Sequence, residues 1–123
     1  MIRDEMARFA TSLSYEAIPL AVTTQVKRLL IDHVSSMLAG PRAFAAELPD
    51  LPALISARGG LAESTVIGAS GRYPCGSATF TNTALGFTGI DAWHQASTIH
   101  VPVVVFPAAI ALGERLLRHR SNI

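Results

Sequence analysis

Residues 20–40 read LAVTTQVKRLLIDHVSSMLAG. Its apolar residues recur at intervals of three and four, which is the period of one face of an α-helix. The pattern predicts a helix that begins at Leu20 and turns an apolar face to the core: Val22, Val26, Leu29, Leu30, Val34, Met37 and Leu38. We expect this helix to end with Gly40 in the left-handed position, because Pro41 cannot readily continue a helix.

Helical patterns on both sides extend this assignment to most of the chain. Residues 2–13 have the spacing of an amphipathic first helix, and a connector at 14–19 leads into the second. Small residues dominate from Cys75 to Ile90, which predicts a closely packed, buried helix although Gly and Thr have weak helix propensity. The apolar run from Pro102 to Leu117 predicts a last helix.

The remaining segments are predicted to be less regular. Residues 41–60 are expected to form one or two short helices that break at Pro49, and residues 91–99 are expected to form a loop. Thr65–Gly68 has the composition of a short β-strand. The prediction is therefore a mainly α chain, a single partial helical domain over 1–123, with at most a short β segment near Thr65–Gly68.

The composition is unusually apolar for a short chain. Half of the 123 residues are hydrophobic and only 15% are charged. A domain of this size has a large surface relative to its interior, so it can bury only part of such an apolar content. We expect either that the rest of the domain or a partner subunit covers the excess, or that a small Ala- and Val-rich bundle packs well without one.

Charge and cysteine content exclude several classes of protein. The formal net charge is +1, which does not indicate a nucleic-acid partner. Cys75 is the only cysteine, so neither an intrachain disulfide nor a cysteine-based zinc site can form within one chain. The N-terminus lacks the apolar run of a signal peptide, and the stretch Val101–Gly113 is too short to span a bilayer. We therefore expect a cytoplasmic protein without a membrane partner.

Candidate chemical groups cluster in the loop between Asp91 and His100. His94 and His100 could act as acid or base near neutral pH, and Asp91 could orient an imidazole or accept a proton. A zinc site is the alternative, but the spacing of the two histidines follows no compact ligand pattern and no fourth ligand is evident. Loop histidines can also simply hydrogen-bond or cap their own turn. His33, beside Asp32, is expected to form a half-exposed surface pair.

A set of short runs is informative by its order: Leu13–Pro19, Val26–Asp32, Leu38–Gly40, Glu63–Gly68, Phe80–Gly86, His100–Pro102 and Phe106–Glu114. The first three are similar to the opening of the MmgE/PrpD family, which includes 2-methylcitrate dehydratase, cis-aconitate decarboxylase and related epimerases. Glu63–Gly68 resembles its "ATVIG" stretch, Phe80–Gly86 resembles its small-residue "NGTLAH" helix, and the last two runs together resemble its "HPG…PAALALAE" helix start. The resemblance covers nearly the whole chain.

The resemblance implies a large all-α domain, of which this chain would be the N-terminal portion, followed by a smaller α/β lid domain, usually in a homodimer. It implies metal-free and cofactor-free loss of water, loss of carbon dioxide or epimerisation on small di- and tricarboxylic acids. By position, the family's histidine corresponds to His100, and its acidic "D-[FY]-D-D-T" element corresponds to the region of Asp91. We expect both to be catalytic, with His94 binding substrate.

The chain departs from the family pattern at several positions. Asp91 is the only acidic residue that remains of three, Phe87 stands where the family has a histidine, and Val101 separates His100 from its proline. The family's lysines, its tyrosine and the lid domain would lie beyond Ile123. A site without cations cannot offset the desolvation of a multiply charged substrate.

Three hypotheses therefore stay open. The chain is part of a lyase or isomerase and is inactive alone, its partners being a small carboxylic acid and a second copy or a complementary chain. Alternatively, it is a non-catalytic helical interaction module. The third hypothesis is an unrelated helical protein with a two-histidine metal loop.

Overall fold

The computed structural model describes residues 1–43, 55, 59–87 and 92–121. Within these residues it contains four α-helices and one short 3₁₀ helix, Tyr15–Ala17, that connects the first two. The helices are α1 (Ile2–Ser12), α2 (Leu20–Ala43), α3 (Cys75–Gly86) and α4 (Val101–Ser121). The prediction of a mainly helical chain is confirmed. The short helices predicted between residues 41 and 60 lie largely outside the described residues.

Helices α2, α3 and α4 form the core. Helix α3 packs against both of the others, which also contact each other. The core residues come from these helices and from the segment between α2 and α3: Met37, Ile55, Val66, Tyr73, Ala78, Leu85 and Ala111. Helix α1 buries none of its residues. The pairwise packing of α2, α3 and α4 therefore forms the scaffold, and α1 lies outside it.

Helix α2 begins where the sequence predicts and ends later. The carbonyl of Pro19 accepts hydrogen bonds from the amides of Val22 (2.9 Å) and Thr23 (3.1 Å), which completes the first turn. The prediction that α2 ends at Gly40 is wrong, because the helix continues through Pro41 to Ala43. A Cβ atom at Gly40 would lie 2.9 Å from the Cα of Leu85.

Gly40 therefore has a packing role, not a capping role. It lets α2 approach the backbone of α3 more closely than any residue with a side chain would allow.

The predicted core face of α2 is correct only in its later turns. Met37 is fully buried and Leu30 is half-buried, whereas Val22, Val26 and Leu38 are exposed. The described helices pack against α2 mainly from its middle onward, so the apolar residues of its first turns remain at the surface.

The small residues of α3 do allow close packing. Ala78, Thr81, Asn82, Leu85 and Gly86 are all buried. The hydroxyl groups of its threonines donate to carbonyls one turn earlier in the same helix, at 2.8–2.9 Å. These bonds satisfy polar groups that would otherwise be costly to bury, so the helix tolerates its threonines.

The predicted β-strand at Thr65–Gly68 is reduced to an isolated antiparallel bridge between Ser64 and Tyr73. The side chain of Asn82 explains why. Its Oδ1 accepts from the amide of Ile67 (2.9 Å) and its Nδ2 donates to the carbonyl of Thr65 (3.0 Å). Asn82 thus occupies the hydrogen-bonding positions that a partner strand would use, and the chain turns at Gly68, where φ is 83°.

The same segment is also fixed to α4. The hydroxyl of Ser64 donates to the carbonyl of Ala111 (2.7 Å), and the Glu114 carboxylate accepts from the amide (2.6 Å) and the hydroxyl (2.8 Å) of Thr65. Polar side chains therefore hold the segment between α3 and α4.

Much apolar side-chain area lies at the surface. On α1, Ile2, Met6 and Phe9 are 77%, 67% and 66% exposed. Further exposed apolar residues lie on α2 and α4, including Leu20, Ile31, Val104 and Leu117. In the described part of the chain, no helix combines the length and the apolar character needed to cross a membrane.

Candidate functional site

The candidate site lies in the segment 92–100, between the end of α3 and the start of α4. The segment forms a tight turn at 95–98, closed by an antiparallel bridge in which the His94 amide donates to the carbonyl of Ile99 (3.0 Å). Thr98 has a φ of 53°, a left-handed conformation that a β-branched residue rarely adopts. The predicted loop is confirmed over these residues.

His100 immediately precedes α4 and is half-buried. Its ring centroid lies 5.4 Å from that of Phe87 in an edge-on arrangement, with an interplanar angle of 78°. The ring of Trp93 lies 5.7 Å away on the loop, inclined at 42°. In the sequence, Phe87 stands out only as a departure from the family pattern. In the structure, its ring contacts the candidate histidine.

We call Phe87, Trp93 and His100 the aromatic cluster. It joins the end of α3, the loop and the start of α4. An imidazole with a ring on two sides has a restricted orientation, and partial burial still leaves it accessible to a small molecule. An imidazole placed in this way can serve as a general acid or base.

His94 has a different setting. It is exposed, and its Nδ1 shares a hydrogen bond with the Ser97 hydroxyl at 2.7 Å. The contact stays within the turn, which fits the alternative that a loop histidine stabilises its own turn. Whether His94 also binds substrate stays a prediction.

Asp91, the second predicted catalytic residue, lies outside the described residues, and its role stays a prediction. Its neighbour Ala92 donates its backbone N–H to Oδ2 of Asp32 at 3.1 Å. This bond connects the loop to α2 across 60 positions of sequence. No local sequence pattern indicates this role for Asp32.

The expected surface pair of Asp32 and His33 is wrong. His33 is fully buried, with its ring centroid 6.0 Å from that of Phe106, while Asp32 is exposed. Successive residues of a helix point about 100° apart, so the two side chains enter different environments. A Cβ atom at Gly86 would lie 3.0 Å from Nε2 of His33, which shows how closely α2 and α3 approach here.

Within the described ranges, no three His, Cys, Asp or Glu side chains lie close enough together to hold a metal ion. Cys75 is a free thiol at the start of α3. The described site places an imidazole beside two aromatic rings.

The chain matches the model of a known family. The family model of the MmgE/PrpD N-terminal domain matches residues 4–122, which include nearly all of the four helices and the whole aromatic cluster. No curated protein and no solved structure matches the chain significantly. The order of the matching runs, the helical architecture and this match agree. The chain therefore belongs to the MmgE/PrpD family and represents its N-terminal domain.

Proposed function

We propose that this chain is the helical-domain part of a metal-free lyase or isomerase that acts on small di- or tricarboxylic acids. The reaction would be dehydration, decarboxylation or epimerisation next to a carboxylate. The observation that supports this most directly is the position of His100 in the aromatic cluster, in a chain that matches the family over residues 4–122.

In this proposal His100 supplies the proton transfer. Each of these reactions needs a base that removes a proton or an acid that protonates a leaving group or carbanion. His100 is half-buried and its ring is oriented by Phe87 and Trp93. Asp91 remains the second candidate acid or base, and His94, exposed on the same turn, remains the candidate that binds substrate.

We also propose that the chain alone does not turn over substrate. A substrate with two or three carboxylates must be held by cations if it is to leave water. No Lys or Arg occurs between Arg72 and Arg115. Those two are engaged elsewhere: Arg72 donates to the carbonyl of Glu63 (2.9 Å), and Arg115 pairs with the Glu63 carboxylate (3.6 Å). The cations that hold the substrate would therefore come from outside residues 73–114, from another segment or another subunit.

The test is an assay of the purified chain with citrate-like di- and tricarboxylic acids, followed by NMR of both the acids and the protein. We expect no product, and, because those cations are absent from the loop, only weak binding, which should appear as shifts of the imidazole resonances of His100 and His94 at high acid concentration. Acetate, which has a single carboxylate, serves as the matched control ligand.

Two results would contradict this proposal. Turnover that disappears in His100→Ala would show that the chain is active alone. Shifts confined to residues outside 92–100 would show that the loop is not where the acid binds.

A non-catalytic interaction module is the second candidate, and the exposure of α1 favours it. Helix α1 buries no residue, although its apolar side chains recur at helical spacing. Such a face is typical of a surface that packs against a partner. The partner would be a second copy or a complementary chain. Acid binding separates the two candidates: the first predicts shifts of the His100 resonances in the wild type, and the second predicts none.

A further inference from the structure

We infer that Asp32 is a positioning residue for the loop that carries His100. Its carboxylate accepts the backbone N–H of Ala92 and so fixes the loop, and with it Trp93, relative to the helical core. The inference rests on the proposed function only in taking this loop as the substrate loop.

The loop needs such an anchor because it has little buried surface of its own. Residues 93–99 are all exposed, and only Ala92 and His100 at its ends are half-buried. The bonds of His94 to Ile99 and Ser97 lie within the turn. They fix the shape of the turn but not its place against the helices. Burial therefore does little to fix the position of the loop, and the hydrogen bond from Ala92 to Asp32 on α2 does more.

Asp32 is suited to this role because its own position is fixed. The next residue, His33, is fully buried against α3 and α4, so α2 cannot rotate without disrupting the core. A carboxylate is also a stronger acceptor for a backbone N–H than a neutral group. The bond thus connects a rigid element to the residue directly before Trp93.

The position of Ala92 also affects His100, the candidate acid–base group. Trp93 follows Ala92 in sequence, and its ring lies 5.7 Å from that of His100. If Ala92 is released, Trp93 loses its fixed place beside the imidazole. Asp32 would then act on His100 through Trp93 without touching substrate itself.

The test compares Asp32→Ala and Asp32→Asn with Glu16→Ala, which removes another exposed carboxylate, on the 3₁₀ helix. Two NMR signals report the anchor: the amide proton of Ala92, and the cross-peaks between the rings of Trp93 and His100. Trp93 is the only tryptophan, so its indole signals and its fluorescence are unambiguous.

In Asp32→Ala we expect an upfield shift of the Ala92 amide proton and loss of the ring cross-peaks. Helical circular dichroism should be unchanged. Asp32→Asn keeps an oxygen acceptor and should retain the cross-peaks, and Glu16→Ala should match the wild type. This rescue by the amide distinguishes a positioning role from a general effect of losing a charge.

An unchanged Ala92 amide and unchanged cross-peaks in Asp32→Ala would overturn the inference. If Asp32→Ala does not fold, a measurement on the wild-type protein still tests whether Asp32 accepts the Ala92 amide. A small temperature coefficient of the Ala92 amide shift would support the bond, whereas the large coefficient of a solvent-bonded amide would overturn it.

Acid titration separates this inference from the proposed function. If the acids shift His100 equally in wild type and Asp32→Ala, the inference fails and the proposed function stands. If they do not shift His100 in the wild type, the proposed function fails, while the Ala92 and Trp93 signals still report whether Asp32 anchors the loop.

Discussion

Gly86 lies at a helix contact that leaves no room for a side chain. A Cβ atom there would lie 3.0 and 3.2 Å from two ring nitrogens of His33, which is itself fully buried. The His33 ring has Phe106 nearby, so it cannot move aside freely. Gly86 is therefore needed for its small volume.

We predict that Gly86→Ala destabilises the protein by about 1–3 kcal/mol, the usual cost of overpacking a core. Gly76→Ala is the matched control in the same helix, because a Cβ there meets nothing within 4 Å. That substitution should stabilise by up to ~1 kcal/mol through helix propensity. Urea unfolding measures both. Equal stability of the two variants would contradict the contact between His33 and α3.

His33 also shows what could have been predicted from single residues. Its neighbour Asp32 suggests a surface pair, but Leu29 and Met37 lie four positions before and after it, on the same side of the helix. The spacing therefore contained the signal that His33 shares the core face. The bond of Asp32 to Ala92 had no such signal, because the two residues are 60 positions apart.

The first and second halves of α2 differ in how deeply their apolar side chains are buried. Met37 is fully buried, whereas Val26 is 44% exposed. We predict that Met37→Asp abolishes cooperative folding, because an unpaired carboxylate in the core costs several kcal/mol. Val26→Asp, the matched control on the same helix, should keep the wild-type helical content. Circular dichroism melting measures both, and unfolding of the Val26 variant would show that the first turns of α2 also belong to the core.

The helices were predictable from the sequence because their signals are local. Periodicity locates α1, α2 and α4, and small residues mark α3 as closely packed. The segment between α2 and α3 was not predictable in the same way. Its β-type composition is overridden by Asn82 and Glu114, which bond to Thr65 from 17 and 49 positions away. Which polar side chain reaches which backbone group depends on the tertiary fold.

These contacts give a structural role to three of the runs that resemble the family. Thr65, Asn82 and Glu114 lie in the "ATVIG", "NGTLAH" and "PAALALAE" runs, and the structure brings all three together. Their contacts hold the segment between α3 and α4. In these runs the described contacts are architectural, whereas the aromatic cluster carries the candidate chemistry.

For the whole molecule, the composition predicted more apolar surface than the chain can bury, and the structure places it on α1, the first turns of α2 and the outer face of α4. Composition could not predict which faces would be exposed, because that depends on how the helices pack. We propose that these faces are interfaces with a second copy of the chain, and that the complete substrate site includes groups from outside this chain.

Sedimentation velocity over a range of protein concentrations tests this central claim most directly. We predict that the wild type sediments faster as its concentration rises. Met6→Lys combined with Phe9→Lys should weaken that dependence and keep the wild-type helical circular dichroism, since α1 buries no residue within the chain. A single compact monomer at every concentration, identical for wild type and variant, would contradict the claim that the exposed apolar faces are interfaces.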